Sequence, residues 1–91
     1  DPAARRVTVG GTPVSLTAKE LALLEFFVRH PGEVLSRTRI LDHVWDTAYD
    51  GDSNVVDVYV RYLRNKVDRP FERNQIETVR GAGYRLRDEP L

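Results

Sequence analysis

The chain has 91 residues, 41% of them hydrophobic, which is enough for one modest core in a single domain. Charged residues make up 31%, no apolar run is long enough for a transmembrane helix, and no signal-peptide pattern is present, so we expect a soluble protein. Cysteine is absent, which excludes disulfides and thiolate metal sites, and the formal net charge is zero.

The charges are distributed unevenly. Residues 54–87 hold eight cations and four anions, whereas residues 1–53 and residues 88–91 each carry a net charge of −2. Arginine outnumbers lysine twelve to two, and its forked guanidinium suits bidentate contacts with phosphate or guanine. One face can therefore be directed at a polyanion although the whole chain is neutral. Because the first residue is Asp1 rather than Met, we expect a fragment of a longer protein.

Residues 5–16 are predicted to form a β-hairpin. Valines alternate with polar residues on the first arm, and Val14 and Leu16 continue the alternation on the second. Gly10-Gly11 supplies the turn, since glycine tolerates positive φ. A lone hairpin is marginal, so it must pack on helices or be completed by a further strand.

A helix is predicted to begin after Thr17, because Thr17 and Glu20 have the spacing of a capping box. Pro31-Gly32 ends this helix, and His30 at its end is expected to be structural. Its buried stripe is predicted to consist of Leu21, Leu24, Phe27 and Val28.

A second, short helix is predicted over residues 37–46, with Ser36 as its N-cap. His43 falls on the outer side without other metal ligands at suitable spacing, so a solvated side chain is expected. The inward-facing residues are predicted to be Ile40, Leu41, Val44 and Trp45.

Residues 46–53 form an acidic loop. The spacing of its carboxylates and the lack of a bidentate glutamate argue against calcium binding. Two interpretations stay open: an ordinary turn with Asp52 or Ser53 capping the next helix, or a loop that binds a partner protein. No metal or cofactor site is predicted in the chain.

Residues 54–68 have the length and composition of a helix of about four turns. Four apolar residues share one stripe that should face the core: Val56, Val60, Leu63 and Val67. The opposite side carries amides, a cation, an aromatic and a methyl-rich residue: Asn54, Val58, Arg61, Tyr62 and Asn65. Such side chains can read base edges and bind phosphates, although an ordinary solvated face is the alternative.

A polar connector containing Pro70 leads into a second predicted hairpin, residues 76–87, with its turn at residues 80–83. The order of hairpin, two helices, longer helix and hairpin is that of a winged helix-turn-helix, in which the third helix enters the major groove. An Arg at the wing tip can reach the minor groove. A winged helix that binds proteins instead is the alternative, since the net charge is zero. An enzyme is not expected, because no nucleophile–base pair, metal cluster or phosphate loop is present.

Four segments together resemble the OmpR/PhoB-type winged helix-turn-helix domain, the C-terminal DNA-binding half of bacterial two-component response regulators. They are LTAKELALLEFFVRHPGEVLSR, ILDHVW, NVVDVYVRYLRNKVD and IETVRGAGYRL, and the match spans residues 6–86. The resemblance implies an α+β fold with an N-terminal antiparallel sheet, truncated here by one or two of its four strands, three helices and a C-terminal hairpin. It also implies that residues 1–91 are one effector domain whose receiver domain is absent.

The resemblance further implies roles for individual residues. Base or major-groove contacts are expected from Asp57, Val58, Tyr62 and Arg64. Phosphate contacts are expected from Trp45, Asn54, Tyr59, Arg61, Thr78, Gly81 and Tyr84. Arg80 is expected in the minor groove, and the loop containing Asp46, Tyr49, Asp50 and Asp52 against RNA polymerase, through a sigma factor or the α subunit.

The resemblance implies partners as well. They are double-stranded DNA with tandem direct repeats and a second copy of the protein in a head-to-tail dimer on that DNA. The isolated domain is expected to be monomeric and the protein cytoplasmic.

Overall fold

The computed structural model describes residues 4–46, 49 and 51–88, with the side chains of residues 4 and 5 left aside. Two hairpins flank three helices. The elements in chain order are β1 (Ala4–Val9), β2 (Thr12–Thr17), α1 (Ala18–Val28), α2 (Arg37–Val44), α3 (Asn54–Val67), a 3-10 turn (Arg69–Phe71), β3 (Ile76–Val79) and β4 (Gly83–Leu86). The predicted α+β architecture is confirmed.

The N-terminal hairpin forms as predicted, with Val7 paired to Val14 and a turn at Gly10 and Gly11, whose φ angles are 55° and 85°. Within the described residues this sheet has two strands. Leu16 is buried beneath it, so the hairpin is stabilised by packing on the helices.

Helix α1 begins with the predicted capping box. The Thr17 hydroxyl accepts from the Glu20 amide at 3.2 Å, and the Glu20 carboxylate accepts from the Thr17 amide at 2.8 Å. The predicted burial of Val28 is wrong, because this side chain is 48% exposed. The buried arc is centred between Leu23 and Phe27, and Val28 lies roughly 120° around the helix from that centre.

The two histidines lie where the sequence predicts, at a helix end and on an exposed face. His30 contacts the carboxylate of Glu33 at 3.0 Å. His43 is exposed, but its ring also stacks on Phe26 with the centroids 4.7 Å apart. Both therefore have structural neighbours.

Helix α2 ends at Val44, with Trp45 as its C-cap. Ile40 and Val44 are buried as predicted, whereas Leu41 and Trp45 are only half-buried. The stripe predicted for α3 is confirmed in full, since Val56, Val60, Leu63 and Val67 are each at most 1% exposed.

The second hairpin, β3–turn–β4, is the wing. It is wider than the sequence suggested, because Leu35, in the link between α1 and α2, pairs with Tyr84 in antiparallel fashion. The Leu35 amide donates to the Tyr84 carbonyl at 2.7 Å, and the Tyr84 amide donates back at 2.9 Å. This close approach requires Gly83, since a Cβ there would lie 2.0 Å from the Leu35 carbonyl oxygen.

The connector between α3 and the wing is anchored by Asp68, which the sequence did not single out. Its side chain is 3% exposed, and its carboxylate accepts from the amides of Gln75 and Ile76, each at 3.1 Å. This carboxylate closes the loop and sets where β3 starts relative to the end of α3.

Candidate nucleic-acid interface

The outer side of α3 presents the residues that the sequence placed opposite the core. We call Asn54, Val58, Arg61, Tyr62 and Asn65 the reading face. Tyr62 is 44% exposed, the two amides and Arg61 are exposed, and Val58 is half-buried. Within the described part of the chain, Arg61 makes no hydrogen bond or ion pair. The reading face is therefore open to a ligand, with one uncommitted guanidinium.

Helix α3 is capped from the preceding loop. The Asp52 carboxylate accepts from the Asn54 amide at 3.0 Å, whereas Ser53 makes no side-chain capping bond. Of the two residues that the sequence left open, Ser53 therefore occupies the N-cap position and Asp52 supplies the side-chain capping bond.

Three aromatic rings form a ladder along one edge of the reading face. Trp45 meets Tyr59 edge-to-face with centroids 5.3 Å apart, and Tyr59 meets Tyr62 in the same way at 5.5 Å. Lys19 lies 5.4 Å from the Trp45 ring and donates to the carbonyl that ends α2, Val44, at 3.0 Å. Tyr59 and Trp45 are half-buried, so the ladder joins the core to the exposed Tyr62.

One carboxylate oxygen of Asp57 accepts two hydrogen bonds from within the protein. Its Oδ1 atom accepts from Arg37 Nε at 2.9 Å and also from the hydroxyl of Tyr84. Tyr84 is 6% exposed. Burial, together with the hydrogen bond to Asp57 and its charge, raises the pKa of the Tyr84 hydroxyl, which stays a neutral donor at physiological pH. The sequence assigned Asp57 and Tyr84 to DNA, whereas the structure pairs them with each other.

Arg64 attaches α3 to the wing. Its Nε and Nη2 atoms donate to the Ile76 carbonyl at 3.1 and 2.9 Å, and Nη2 also donates to the Thr78 hydroxyl at 2.7 Å. The guanidinium carbon is 5.6 Å from the centre of the Tyr84 ring. Two residues expected at DNA, Arg64 and Thr78, are thus partners within the protein.

The wing tip carries Arg80 and Gly81, both exposed. Arg80 makes no hydrogen bond or ion pair with any residue that the structure describes. Arg85 and Arg87, further along the wing, both pair with Glu77, at 3.2 and 3.4 Å. The wing thus directs one uncompensated cation outward at its tip.

The acidic loop is described only in part, and Asp50 lies outside the described residues. Tyr49 is 36% exposed and donates its hydroxyl to the Asp52 carbonyl at 3.1 Å. Asp46 also has interactions of its own. Because Asp52 caps α3, the loop has a structural role whatever it binds.

The sequence analysis missed Arg37 as a residue that arranges this interface, and for Gly83 it did not identify the neighbouring backbone. Arg37 has no local signal, because its partner Asp57 is 20 residues away. Gly83 had a signal in the glycine-rich wing turn, but the neighbour it accommodates, Leu35, is distant in sequence.

The described residues contain neither a metal-binding cluster nor a membrane-spanning helix. No three metal-ligating side chains lie close enough together to hold an ion. In residues 4–46, 49 and 51–88, no helix combines the length and the apolar character needed to cross a membrane.

Three helices, an exposed face on the third and a wing with a cationic tip define a winged helix-turn-helix of the DNA-binding class. The family model described as "Transcriptional regulatory protein, C terminal" matches residues 11–86, and the chain belongs to this family. These domains are DNA-binding transcription regulators rather than enzymes, so the predicted family, fold and class of function are confirmed.

Two curated relatives are transcriptional regulatory proteins. The chain is 52% identical to TcrA of Mycobacterium tuberculosis over 89 residues, 98% of this chain and 35% of TcrA. It is 54% identical to CusR of Escherichia coli over 86 residues, 94% of this chain and 38% of CusR. The chain thus spans little more than a third of these relatives.

A solved structure shows the same fold on DNA. The RstA DNA-binding domain of Klebsiella pneumoniae, in complex with the RstA box, matches with a TM-score of 0.79 and 32% identity. The match covers 93% of this chain and 85% of that one.

Proposed function

We propose that this chain binds double-stranded DNA sequence-specifically, as the effector domain of a two-component response regulator, and so controls transcription. In this proposal α3 lies in the major groove with its reading face toward the bases, and the wing reaches the adjacent minor groove. The observation that carries it is the joint exposure of the reading face and of Arg80, on elements that Arg64 fastens together.

The exposed side chains of α3 and the wing tip are proposed to contact DNA directly. We assign base contacts to Val58 and Tyr62, and phosphate contacts to Asn54 and Arg61, which are exposed on the same helix. Arg80 is assigned to the minor groove, where the narrow A·T tracts attract guanidinium groups.

Four other predicted contact residues have hydrogen-bond partners inside the protein, whereas Gly81 at the exposed wing tip stays assigned to a phosphate. The Tyr84 hydroxyl and Arg37 both donate to Asp57, and Arg64 donates to the Thr78 hydroxyl. We assign them the role of holding α3 and the wing at the angle that DNA binding requires. Tyr59 and Trp45 support Tyr62 through the aromatic ladder.

A salt titration tests the proposal. Sequences bound by the chain are first enriched from a random duplex library at low salt, and the affinity of one of them is then measured between low and physiological salt. Each neutralised phosphate should steepen the fall of log K against log salt by about 0.9. Arg61→Ala, which removes a phosphate contact, should reduce the slope by about one unit. A chain that enriches no duplex even at low salt would refute the proposal.

The assembly on DNA is part of the same proposal. We propose tandem direct repeats as the target and a head-to-tail dimer on them, with a monomer off DNA. Sedimentation of the chain alone, with one half-site and with two correctly spaced half-sites tests this. A dimer formed without DNA, or equal affinity for one and two half-sites, would contradict it.

The chain spans little more than a third of the relatives' length, so the proposal also concerns the whole regulator. We propose a receiver domain elsewhere in the protein, a cytoplasmic location, and contact of the acidic loop with a sigma factor or the α subunit of RNA polymerase. Asp46, Tyr49 and Asp52, together with Asp50, are the residues proposed for that contact. Asp50→Ala should lower transcription in a reconstituted assay while leaving DNA affinity unchanged.

A winged helix that binds protein instead of DNA is the second candidate. Zero net charge favours it, as does the pairing of Arg37, Arg39, Arg85 and Arg87 with carboxylates. The enrichment experiment separates the two, since a protein-binding domain would select no duplex.

A further inference from the structure

The reading face contains an apolar strip of two side chains, Val58 and Tyr62. The two residues are four positions apart on α3, so they are neighbours along one side of the helix. This side lies roughly opposite the buried stripe, and Tyr62 is 44% exposed there. The neighbouring positions on the face carry Asn54, Arg61 and Asn65, which are polar. The strip is therefore an apolar feature on an otherwise polar reading face, joined at one edge to the aromatic ladder.

The core does not account for this strip. The apolar residues that bury α3 are on its other side, and each of them is at most 1% exposed. The exposed part of this strip contributes hydrophobic stabilisation only when a partner removes it from water. The strip therefore suits an apolar feature of whatever lies against the reading face.

The major groove of DNA offers one apolar feature at the base edges, the 5-methyl group of thymine. The other major-groove groups at the base edges are hydrogen-bond donors and acceptors, which suit the amides and the guanidinium beside the strip. An apolar pair among polar side chains thus matches a run of base pairs that includes thymines.

The Tyr62 ring is already held in place. It meets Tyr59 edge-to-face at 5.5 Å, and Tyr59 in turn meets Trp45 at 5.3 Å. A ring that is ordered before binding loses less conformational freedom when it contacts a base. The aromatic ladder therefore prepares Tyr62 as a contact surface.

We propose that Val58 and Tyr62 form a thymine-reading strip that packs against 5-methyl groups in the major groove. This rests on the proposed function, since it needs α3 to lie in that groove. Four residues of helix advance about 6 Å, and successive bases rise about 3.4 Å, so the two methyl groups belong to thymines within two base-pair steps of each other. The ligand is a duplex whose recognised half-site contains thymine, on either strand, at those two positions.

The experiment starts from the duplex enriched by the chain and replaces dT with dU at one position at a time. This change removes the methyl group and leaves base pairing and the O4 acceptor intact. At the positions beneath α3, each replacement should weaken binding by the wild-type chain about fourfold, which corresponds to about 0.8 kcal/mol for one buried carbon. Replacement outside the footprint of α3 should have no effect.

Variants then assign the contact. Tyr62→Ala should lose the discrimination between dT and dU at one position, and Val58→Ala at the other. Tyr62→Phe, which keeps the ring, should retain it. Asn65→Ala, a polar neighbour on the same face, serves as the matched control and should also retain it.

The possible outcomes separate the strip from DNA binding itself. If the chain binds a selected duplex but tolerates dU at every position, or if Tyr62→Ala and Val58→Ala keep the full discrimination, the thymine-reading strip is refuted while DNA binding stands. If no duplex is bound, both proposals fail. If the wild type self-associates in sedimentation and binds dT and dU duplexes equally, and Tyr62→Ala abolishes that self-association, the strip is a protein interface instead.

Discussion

The hydroxyl of Tyr84 in the wing donates a hydrogen bond to Asp57 on α3, and Arg37 at the start of α2 donates to the same carboxylate oxygen. One acceptor atom therefore joins the three elements that make up the proposed DNA-binding surface. Breaking either bond should alter their relative positions rather than remove a contact with a base.

A double-mutant cycle tests this role of Asp57. Asp57→Ala and Tyr84→Phe should each weaken binding of the selected duplex. Their combined effect should be smaller than the sum, with a coupling energy of about 0.5–3 kcal/mol, because they remove the same hydrogen bond. The measurement is affinity for the selected duplex and for its single-base variants. Relaxed discrimination at one base pair in Asp57→Ala, with additive effects in the double variant, would mean that Asp57 reads a base directly.

The second prediction concerns the guanidinium of Arg64, which joins α3 to the wing through several hydrogen bonds. Arg64→Lys keeps the charge but cannot reproduce the bonds to the Ile76 carbonyl and the Thr78 hydroxyl. We expect the free energy of unfolding to fall by about 1.5–3 kcal/mol, the usual range for hydrogen bonds that involve a charged group. Denaturant titration checks this, with Arg61→Lys on the same helix as the control that should leave stability unchanged. Equal stability of both variants would show that the wing does not depend on Arg64.

Two glycines of the wing should respond differently to substitution. In Gly83→Ala the new methyl would lie 2.0 Å from the backbone oxygen of Leu35, so the wing must move off the link between α1 and α2. In Gly81→Ala no atom lies within 4 Å, and only the strain of a φ of +73° remains. Thermal unfolding should therefore show a loss of about 1 kcal/mol for Gly81→Ala and at least about 3 kcal/mol for Gly83→Ala. A similar loss in both variants would argue against the close pairing of Leu35 with Tyr84.

The Glu20 carboxylate, 4% exposed, accepts a hydrogen bond from Lys66 at 2.6 Å. Burial alone would raise the pKa of Glu20, but hydrogen bonds from Lys66 and the Thr17 amide, with the charge of Lys66, hold it below the usual value of 4.5. A carboxyl whose pKa is lowered by folding stabilises the protein above its unfolded-state pKa, and this contribution is lost as the pH falls below about 4.5.

The corresponding variant is Glu20→Gln. The free energy of unfolding of the wild type should fall more steeply than that of Glu20→Gln as the pH is lowered from 5 to about 3. At neutral pH, Lys66→Ala should cost about 1–3 kcal/mol, because the carboxylate loses its charged partner. Glu25→Gln, an exposed position on the same helix, is the control. Parallel pH profiles for the wild type and Glu20→Gln would contradict the role of this ion pair.

The parts that sequence could predict are those with a local periodic or capping signal. The stripe of α3 follows from apolar residues every three or four positions, and the α1 cap from the spacing of Thr17 and Glu20. In α1 the apolar residues run almost continuously from Leu21 to Val28, so periodicity could not decide which of them face inward, and Val28 was misplaced.

The geometry of the candidate interface could not be predicted from the sequence, because it depends on contacts between residues far apart in the chain. The bond of Arg37 to Asp57 spans 20 residues, and that of Lys66 to Glu20 spans 46. A resemblance could name Asp57 and Arg64 as part of the DNA-binding surface, but only the packed structure shows that Asp57 Oδ1 and Arg64 Nε and Nη2 are hydrogen-bonded to other parts of the protein.

Arg80 at the wing tip gives the last prediction, which concerns the groove it enters. Arg80→Ala should weaken binding by about 1–3 kcal/mol, whereas Arg85→Ala, already paired with Glu77, should change it little. Replacing an A·T pair beneath the wing by G·C adds the guanine amino group to the minor groove and should weaken the wild type. An inosine·C pair lacks that amino group but has the major-groove pattern of G·C, so it should be tolerated there. Gel-shift titrations with the three duplexes measure this, and equal losses with G·C and inosine·C would place Arg80 in the major groove instead.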